Sequence, residues 1–531
     1  MSINSSNHKT AFVSIESGIT ALGFRRIAAV ARSINPLLDI YFIPVDNLYS
    51  ALSHLFPSKK INFVERDAEI AGRLLSSYAL VCFSFMSASA RYAEMIVNYI
   101  RKYNKDVFII FGGVHTIIYP EDMLNFADGI CIGEGEKCFD LFYRAYISGK
   151  DFVNTPGMWF NQEGKIFKND KIQLNCNVDL NTFPWLYNGF DCNIYDISKQ
   201  AFRNFTKFDY IDFNGLSYRT VWTRGCPFSC SFCANDFFIK LDKGCSKIRY
   251  PDPEYIVNEI QKALVIYPYI LSVVFYDDNL IALPSKILIK FSDLYKKRIG
   301  LPFVVFGTHP NLVNQEKINI LADAGMNRVR MGIQSGNEKT LNFYNRRTPK
   351  KRIYTSAKIL SESAKIHNMI PPAYDIITDN PLEERQDIIE TLRFVYELER
   401  PFTLTIFGLR LFPYTKLWDY FEKICDMLPN NYNNTSYLTT RPSLGNILLY
   451  CLAIVRPPTK LFEFCLHFVK GHNECQKEYP VLHLLVRTIY LMKRAFDHII
   501  RLDFTTITGC WLYFFWKIKL IRPKPKVKER H

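Results

Sequence analysis

Two stretches of this chain repeat one pattern, a short apolar run followed by a helical stretch. Between residue 10 and about residue 150 the runs are TAFVSI, DIYFIPV, YALVCFSF, VFIIFGG and GICIGEGE. Each is short and continuous rather than alternating, as in strands covered on both faces. Helix-like segments such as ALGFRRIAAVARSI and RYAEMIVNYIRKY separate them. Strand–helix alternation of this kind predicts an α/β domain with a doubly wound parallel sheet, in which ligands bind beyond the C-terminal strand ends. Gly112, Gly113 and His115 (in FGGVHT) fall at such an end, as do Gly133, Glu134, Gly135 and Glu136 (in IGEGE).

The pattern returns between about 216 and 420, in YRTVWT, LSVVFYDD, FVVFGT, RVRMGI, AYDIIT and LTIFGLRLF. Six strand–helix repeats suit a partial (β/α)6 barrel better than a second open sheet. Residues 151–215, with Pro156, Pro184 and several Asn/Gly turns, read as a linker that packs on both neighbours. Residues 421–531 have helical periodicity. The expected domains are therefore 1–150, 216–420 and a helical 421–531, within the two to four that 531 residues suggest. No internal repeat or low-complexity tract interrupts them. The opening MSINSSNHKT lacks the apolar core of a secretory signal, and no uncharged apolar run reaches the roughly 20 residues of a membrane span. A cytoplasmic location is expected, and the 14 cysteines then read as free buried thiols or metal ligands rather than disulfides.

After the first strand of the second region comes TRGCPFSCSFCAND, which sets Cys226, Cys230 and Cys233 in a C-x3-C-x2-C pattern. The loop lies at the C-terminal mouth of the expected barrel, where the active sites of such folds sit. A 4Fe–4S cube normally takes four thiolates, so three would leave one iron open. Structural zinc is the main alternative, but it calls for a second cysteine pair, and Cys245 stands nearby without a partner in sequence. Gly225 and Pro227 mark a shaped loop rather than a chance cluster.

C-x3-C-x-aromatic-C after a first barrel strand resembles the radical S-adenosylmethionine (SAM) enzymes, and the surrounding motifs resemble their cobalamin (vitamin B12)-binding branch. Those motifs are FYDDN (Phe275–Asn279), RMGIQSGNEKTL (Arg330–Leu341), DIITDNPLEE (Asp375–Glu384) and LRLFPYT (Leu409–Thr415), with FGGVHTIIYPEDML and DGICIGEGEKCF in the N-terminal region. The resemblance spans roughly residues 10–420 and implies a Rossmann-like cobalamin-binding domain followed by a radical SAM barrel. It implies that Cys226, Cys230 and Cys233 hold a 4Fe–4S cluster, whose open iron takes the amino and carboxylate groups of SAM. Reductive cleavage to methionine and a deoxyadenosyl radical follows, with an electron from a low-potential donor such as ferredoxin or flavodoxin. It further implies cofactor contacts from Phe232, Asp277, Asp278, Arg330, Gln334 and Ser335, and on the cobalamin side from Gly112, Gly113, His115, Gly133, Glu134 and Gly135. Such enzymes commonly transfer methyl groups to unactivated carbons, need anaerobic conditions and also perform ring closures and rearrangements.

The chain departs from the branch in two ways. It contains no D-x-H-x-x-G motif, so either cobalamin is held without a histidine lower ligand or the fold is kept without the cofactor, and His115 reads as a hydrogen-bonding group at a strand end. Asp379 and Tyr414 stand where glycine is common. Several roles stay open. Asp277 and Asp278 are either helix caps or acceptors for the SAM ammonium. Gln334 and Ser335 are either turn residues or SAM contacts, and Arg330 pairs either with the SAM carboxylate or with a neighbouring acid. Thr308 and His309 are either surface groups or substrate contacts at the barrel mouth.

Net charge is +15, and residues 421–531 carry 17 Lys/Arg against 8 Asp/Glu. There SLGNILLYCLAIV and FTTITGCWLYFFW each run 13 residues without charge, the second leading into KIKLIRPKPKVK. Aromatic residues beside a basic run suit peripheral contact with an anionic membrane and a lipid substrate. A helical domain packed on the barrel with a solvated basic end explains the same pattern, and no nucleic-acid-binding module is visible. Two further readings compete with a radical methylase of a lipid or secondary metabolite. A methylthiotransferase-like enzyme acting on RNA or protein would need a second cluster, for which Cys82, Cys131 and Cys138 are candidates. A non-catalytic, metal-stabilised cobalamin-binding protein would use the cysteines for structure alone.

Overall fold

The computed structural model describes residues 9–45, 63–424, 440–471, 477–505 and 507–522. They form two compact units. The first runs to Asn214 and also takes residues 265–268 and 508–510, and the second holds the remainder.

The first unit carries a nine-stranded sheet, built from β1 (Thr10–Glu16), β2 (Asp39–Pro44), β3 (Leu80–Phe85), β4 (Phe108–Gly112), β5 (Gly129–Cys131), β6 (Met158–Gln162), β7 (Lys165–Lys168), β8 (Asn193–Asp196) and β9 (Ala201–Asn204), in the order β7-β6-β5-β4-β3-β1-β2-β8-β9. β1 to β5 pair in parallel, as their unbroken apolar runs require. Side chains alternate across the sheet, so Val13, Val81 and Phe83 on one side join the helices Glu65–Leu75 and Ala90–Tyr103 in one apolar core.

Residues 151–215 are not the expected linker: they extend this sheet at both edges. β6 pairs antiparallel with β5 and β7, and β9 pairs antiparallel with β8, which itself lies parallel to β2. The β6–β7 connection is Glu163–Gly164, both at positive φ (52° and 85°), as a two-residue hairpin turn needs. These strands escape a hydrophobic-run criterion because they are short and half exposed; in β7 three of four residues are open to solvent.

The second unit contains β10 (Ser217–Thr220), β11 (Ser272–Phe275), β12 (Phe303–Val305), β13 (Met326–Gln334), β14 (Ala373–Thr378) and β15 (Thr403–Gly408). They form one parallel sheet in sequential order, the six-stranded partial barrel the sequence predicts. Its β15 edge is covered by the C-terminal helix Pro480–Ile500, whose Tyr490 hydroxyl donates to the Leu404 carbonyl and accepts from the Leu404 N–H at 3.0 Å. Leu444–Ile454, Thr459–Leu466 and Trp511–Lys517 are also helical, so the described part of 421–531 is the helical region expected. Among the described residues no helix is long and apolar enough to cross a membrane. Asp379 and Tyr414 keep the backbone that favours glycine, at φ 57° and 58°. Asp379 uses its side chain to anchor the C-terminal region, accepting from the Arg441 N–H (2.9 Å) and Asn446 Nδ2 (3.0 Å).

Candidate active site

The cysteine loop leaves the C-terminal end of β10 and is clamped on two sides. On one side Arg224 and Arg249 exchange backbone hydrogen bonds (2.8 and 2.9 Å), and Cys226 N–H donates to the Cys245 carbonyl at 3.0 Å. On the other, Ser231 N–H donates to the Tyr344 carbonyl (3.0 Å) and Asn345 Nδ2 to the Ser229 carbonyl (2.7 Å). The loop's conformation therefore rests on segments about 20 and more than 100 residues distant in sequence.

Cys226 and Cys230 are buried and Cys233 is half-buried. Burial pushes the Cys226 thiol up to about 11 and the Cys233 thiol up to about 12, and charge on Asp278 and on the neighbouring cysteines acts in the same direction. A bare thiolate is costly in such a pocket, and a bound cation or cluster is what offsets that cost. Donors are already aimed at two of the sulfurs: Asn279 Nδ2 lies 3.0 Å from Cys226 Sγ and Arg346 Nη1 lies 3.3 Å from Cys230 Sγ. N–H groups directed at cysteine sulfur suit iron–sulfur ligation, where they help set the reduction potential. Among the described residues no three His, Cys, Asp or Glu side chains converge as they would on a single ion.

The remaining candidates divide by what their polar atoms already do. Asp277 is buried and spent within the fold: it accepts from Trp222 N–H at 3.2 Å, from Thr223 N–H and from Thr223 Oγ1 at 2.6 Å. These bonds lower its pKa, yet burial outweighs them and lifts it to about 6. Asp278 opens to solvent at the mouth and accepts from Asn235 Nδ2 at 3.1 Å, with its pKa raised by the protein crowded around it. Asn279 Oδ1, beside Cys226, is buried with no hydrogen-bond partner. Arg330 pairs with Asp375 at 2.6 Å and lies over the Phe407 ring at 5.0 Å. Ser335 is fully buried, bonded to Thr391 Oγ1 at 3.0 Å and accepting from Asn337 N–H at 3.1 Å, which is a turn role. Gln334, at φ 77°, lays its carboxamide over Gly332, where an added Cβ would sit 2.4 Å from Nε2. Phe232 packs edge-to-face on Tyr344 at 5.2 Å, against an apolar cluster that includes Leu409 and Leu417. His309 is not the surface residue allowed for above: it is buried and stacked on Phe228 at 3.7 Å, with its pKa pushed far down by burial. Thr308 Oγ1, next to it, is buried without a partner.

Arg346 is the site residue the sequence did not reveal. It is buried, touches Cys230 Sγ, and donates through Nη2 to the Gly332 carbonyl. FYNRRTP carries no periodic signal, and only the fold brings its arginine to the cysteines.

In the first unit, Gly112 ends β4 and Gly113 follows it, and Gly113 (φ 101°) approaches β3 so closely that a Cβ would meet Phe85 O at 2.5 Å. Beyond β5, Gly133 faces open space, while Gly135 begins the helix Gly135–Ile147. The two glutamates of GEGE turn away onto one residue: Glu134 accepts from Asn175 N–H (2.9 Å) and Glu136 from Asn175 Nδ2 (3.3 Å). Both carboxylates are thus hydrogen-bonded within the fold. His115 sits beside Ser87 Oγ at 3.0 Å and against the Tyr119 ring, its pKa lowered to about 4 by burial. Cys82 lies inside β3, whereas Cys131 and Cys138 meet sulfur to sulfur at 3.2 Å.

Residues 220–395 match the radical SAM superfamily model. An uncharacterized methyltransferase of Pyrococcus horikoshii is 25% identical over 364 residues, 67% of this chain and 72% of its own length. The bacteriochlorophyllide d C-8(2)-methyltransferase of Chlorobaculum tepidum is 26% identical over 278 residues, and the chain spans about half of it, 52%. Among solved structures, the radical SAM methyltransferase TsrM of Kitasatospora setae, with cobalamin and a 4Fe–4S cluster bound, superposes with a TM-score of 0.58 at 14% identity, covering 80% of this chain and 76% of that one. The cobalamin-dependent radical SAM enzyme OxsB, with aqua-cobalamin and SAM bound, gives 0.58 at 14% identity over 97% of this chain and 75% of its own. At that identity the two structures speak for a shared fold. The superfamily match covers the cysteine loop and strands β11 to β14, so residues 220–395 of this chain are a radical SAM domain.

Proposed function

We propose that this chain is a cobalamin-dependent radical SAM methyltransferase acting on an unactivated carbon of a lipid or secondary-metabolite substrate. The observation that carries the reading is the braced loop of Cys226, Cys230 and Cys233 with donors already directed at two sulfurs. Held by Cys226, Cys230 and Cys233, a 4Fe–4S cluster would supply the electron that cleaves SAM, and cobalamin would supply a carrier for the methyl group. Asp278 and the Asn279 Oδ1 atom offer acceptors beside the cysteines for the SAM ammonium. Asp277 acts one step back, fixing the strand end from which the loop departs. Gly133, with open space at its Cβ position, leaves room for a bulky cofactor beyond β5 of the first sheet, without a histidine ligand, while Gly113 and Gly135 permit close packing on Phe85 and Ile27 beside it. The methyltransferase names of the relatives support the reaction class, and the fold shared with cobalamin-dependent enzymes supports the cofactor. Electrons would come from ferredoxin or flavodoxin, in the cytoplasm.

The test is anaerobic. The full chain is reconstituted with iron and sulfide, supplied with cobalamin, SAM and a reductant, and assayed for deoxyadenosine and S-adenosylhomocysteine. Both nucleosides together with retained cobalamin are expected. Deoxyadenosine from a protein that retains no cobalamin would remove the methyl-transfer reading, and the absence of both products would remove the whole.

Arg346 makes a separate prediction. Its cation and N–H face Cys230 and favour the more negative, reduced cluster. Arg346→Met is expected to keep its iron while the midpoint potential falls by about 60 mV, a tenfold change in a one-electron equilibrium. Arg346→Lys should recover part of the shift, since it restores the charge. An unchanged potential in a redox titration of Arg346→Met would leave the residue a packing role only.

A further inference from the structure

More than half of the large apolar side chains left exposed among the described residues lie between Val455 and Leu520. The helix Pro480–Ile500 shows the most regular group. Its inner face is occupied: Tyr490 covers the β15 edge, His483 meets Thr440 Oγ1 at 3.2 Å, and His498 meets Asp503 at 3.6 Å. Its outer face presents Leu482, Leu485, Ile489, Met492, Phe496 and Ile499, spaced three and four residues apart in alternation. That spacing draws one stripe about 25 Å long on a helix surface. Leu485 is 56% exposed, Met492 67% and Phe496 62%, values far above those of a stripe packed in a core.

Lys493 borders the stripe, and the acid beside it, Asp497, is paired with Lys493 (3.1 Å) and Arg501 (3.2 Å). Arg487, Arg494 and Arg501 lie on the inner side with His483, Tyr490 and His498, and Arg494 sits over the Tyr490 ring. The next helix, Trp511–Lys517, supplies the exposed charge, with Trp511 and Phe514 exposed ahead of exposed Lys517, Lys519 and Arg522. Exposed apolar and aromatic side chains next to exposed cations, unopposed among the described residues, complement a surface that is apolar inside and negative at its edge.

We propose that the outer face of Pro480–Ile500, together with the aromatic-basic segment 511–522, docks on a bilayer containing anionic lipid. The stripe enters the boundary between headgroups and acyl chains, and Lys517, Lys519 and Arg522 stay at phosphate level. The attraction is screened by salt, as surface electrostatics at membranes are. This surface is independent of the proposed reaction, so the two succeed or fail separately.

The test is flotation of the full-length protein with vesicles of phosphatidylcholine, alone or with about 30% phosphatidylglycerol. The protein is expected to float with the anionic vesicles at least about tenfold better than with the neutral ones, and less so as salt rises. Leu485→Glu with Met492→Glu should lower that binding at least about tenfold, since two charges enter the stripe. Lys517→Glu with Lys519→Glu should weaken binding and flatten its salt dependence. Both pairs change exposed side chains, so unchanged circular dichroism is the control for folding. A wild-type protein that stays behind when anionic vesicles float, or a Leu485→Glu/Met492→Glu protein that floats undiminished, overturns the proposal. So does a dimer by light scattering that these substitutions disperse, which would assign the stripe to a second copy.

Discussion

Cys230→Ala is expected to abolish reductive cleavage of SAM, lowering deoxyadenosine formation by at least about a thousandfold, because ligands of one cluster act as a unit. The change removes a single buried sulfur whose described partner is the Arg346 guanidinium. The backbone clamp through Tyr344, Asn345 and Cys245 does not involve that atom, so the fold should survive and circular dichroism should match the parent. Bound iron and the visible absorbance of the reconstituted protein should fall with the activity. Cys245→Ala is the informative partner, since Cys245 braces the loop through its carbonyl. It should retain iron and cleavage, whereas a structural zinc site built from Cys230, Cys233 and Cys245 would lose its metal in both variants. Deoxyadenosine formation that survived Cys230→Ala would sink the assignment of the triad to the cluster.

What the sequence made legible follows from which interactions are local. Most of the eleven core strands announce themselves because a strand buried on both faces needs a largely apolar run, and FIIFG or SVVF supplies one. The cysteine triad is legible because its ligands are close in sequence. The strands β6 to β9 were lost because an edge strand needs no continuous apolar run, and Lys165–Lys168 has almost none. Asp277 and Asp278 are adjacent and chemically identical, and only the structure separates them. Asp277 points into the loop's backbone N–H groups, while Asp278 opens to the mouth. Arg346 reaches Cys230 across 116 residues, a contact no local pattern encodes. Asn175 likewise lies about 40 residues from the two glutamates of GEGE that it binds, so their partner is visible only in the fold.

Gly225→Ala should be nearly as damaging as loss of a cysteine, although it removes no ligand. Gly225 sits at φ 90°, a conformation that costs an L-residue roughly 1–2 kcal/mol. Space is the larger obstacle. An added Cβ would lie 2.2 Å from the Lys247 carbonyl oxygen and 2.8 Å from that of Cys245. Both are backbone atoms, so neither can swing aside like a flexible side chain. Relief requires the 245–249 segment to retreat, which breaks the Cys226 to Cys245 bond and the Arg224–Arg249 pair that hold the loop. Strain and clash together amount to about 3 kcal/mol or more, concentrated on the segment that must present three sulfurs at once. The expected result is a folded protein whose iron content after reconstitution drops to under about a tenth of the parent's, with cleavage falling in proportion. Gly23→Ala controls for the substitution itself. Gly23 lies in the helix Leu22–Ile34 with nothing near its Cβ position, so alanine there should be neutral or stabilising by up to about 1 kcal/mol. If Gly225→Ala took up iron as fully as Gly23→Ala and cleaved SAM at the parent's rate, the loop would be pliant. The 245–249 segment would then not be what positions the three cysteines.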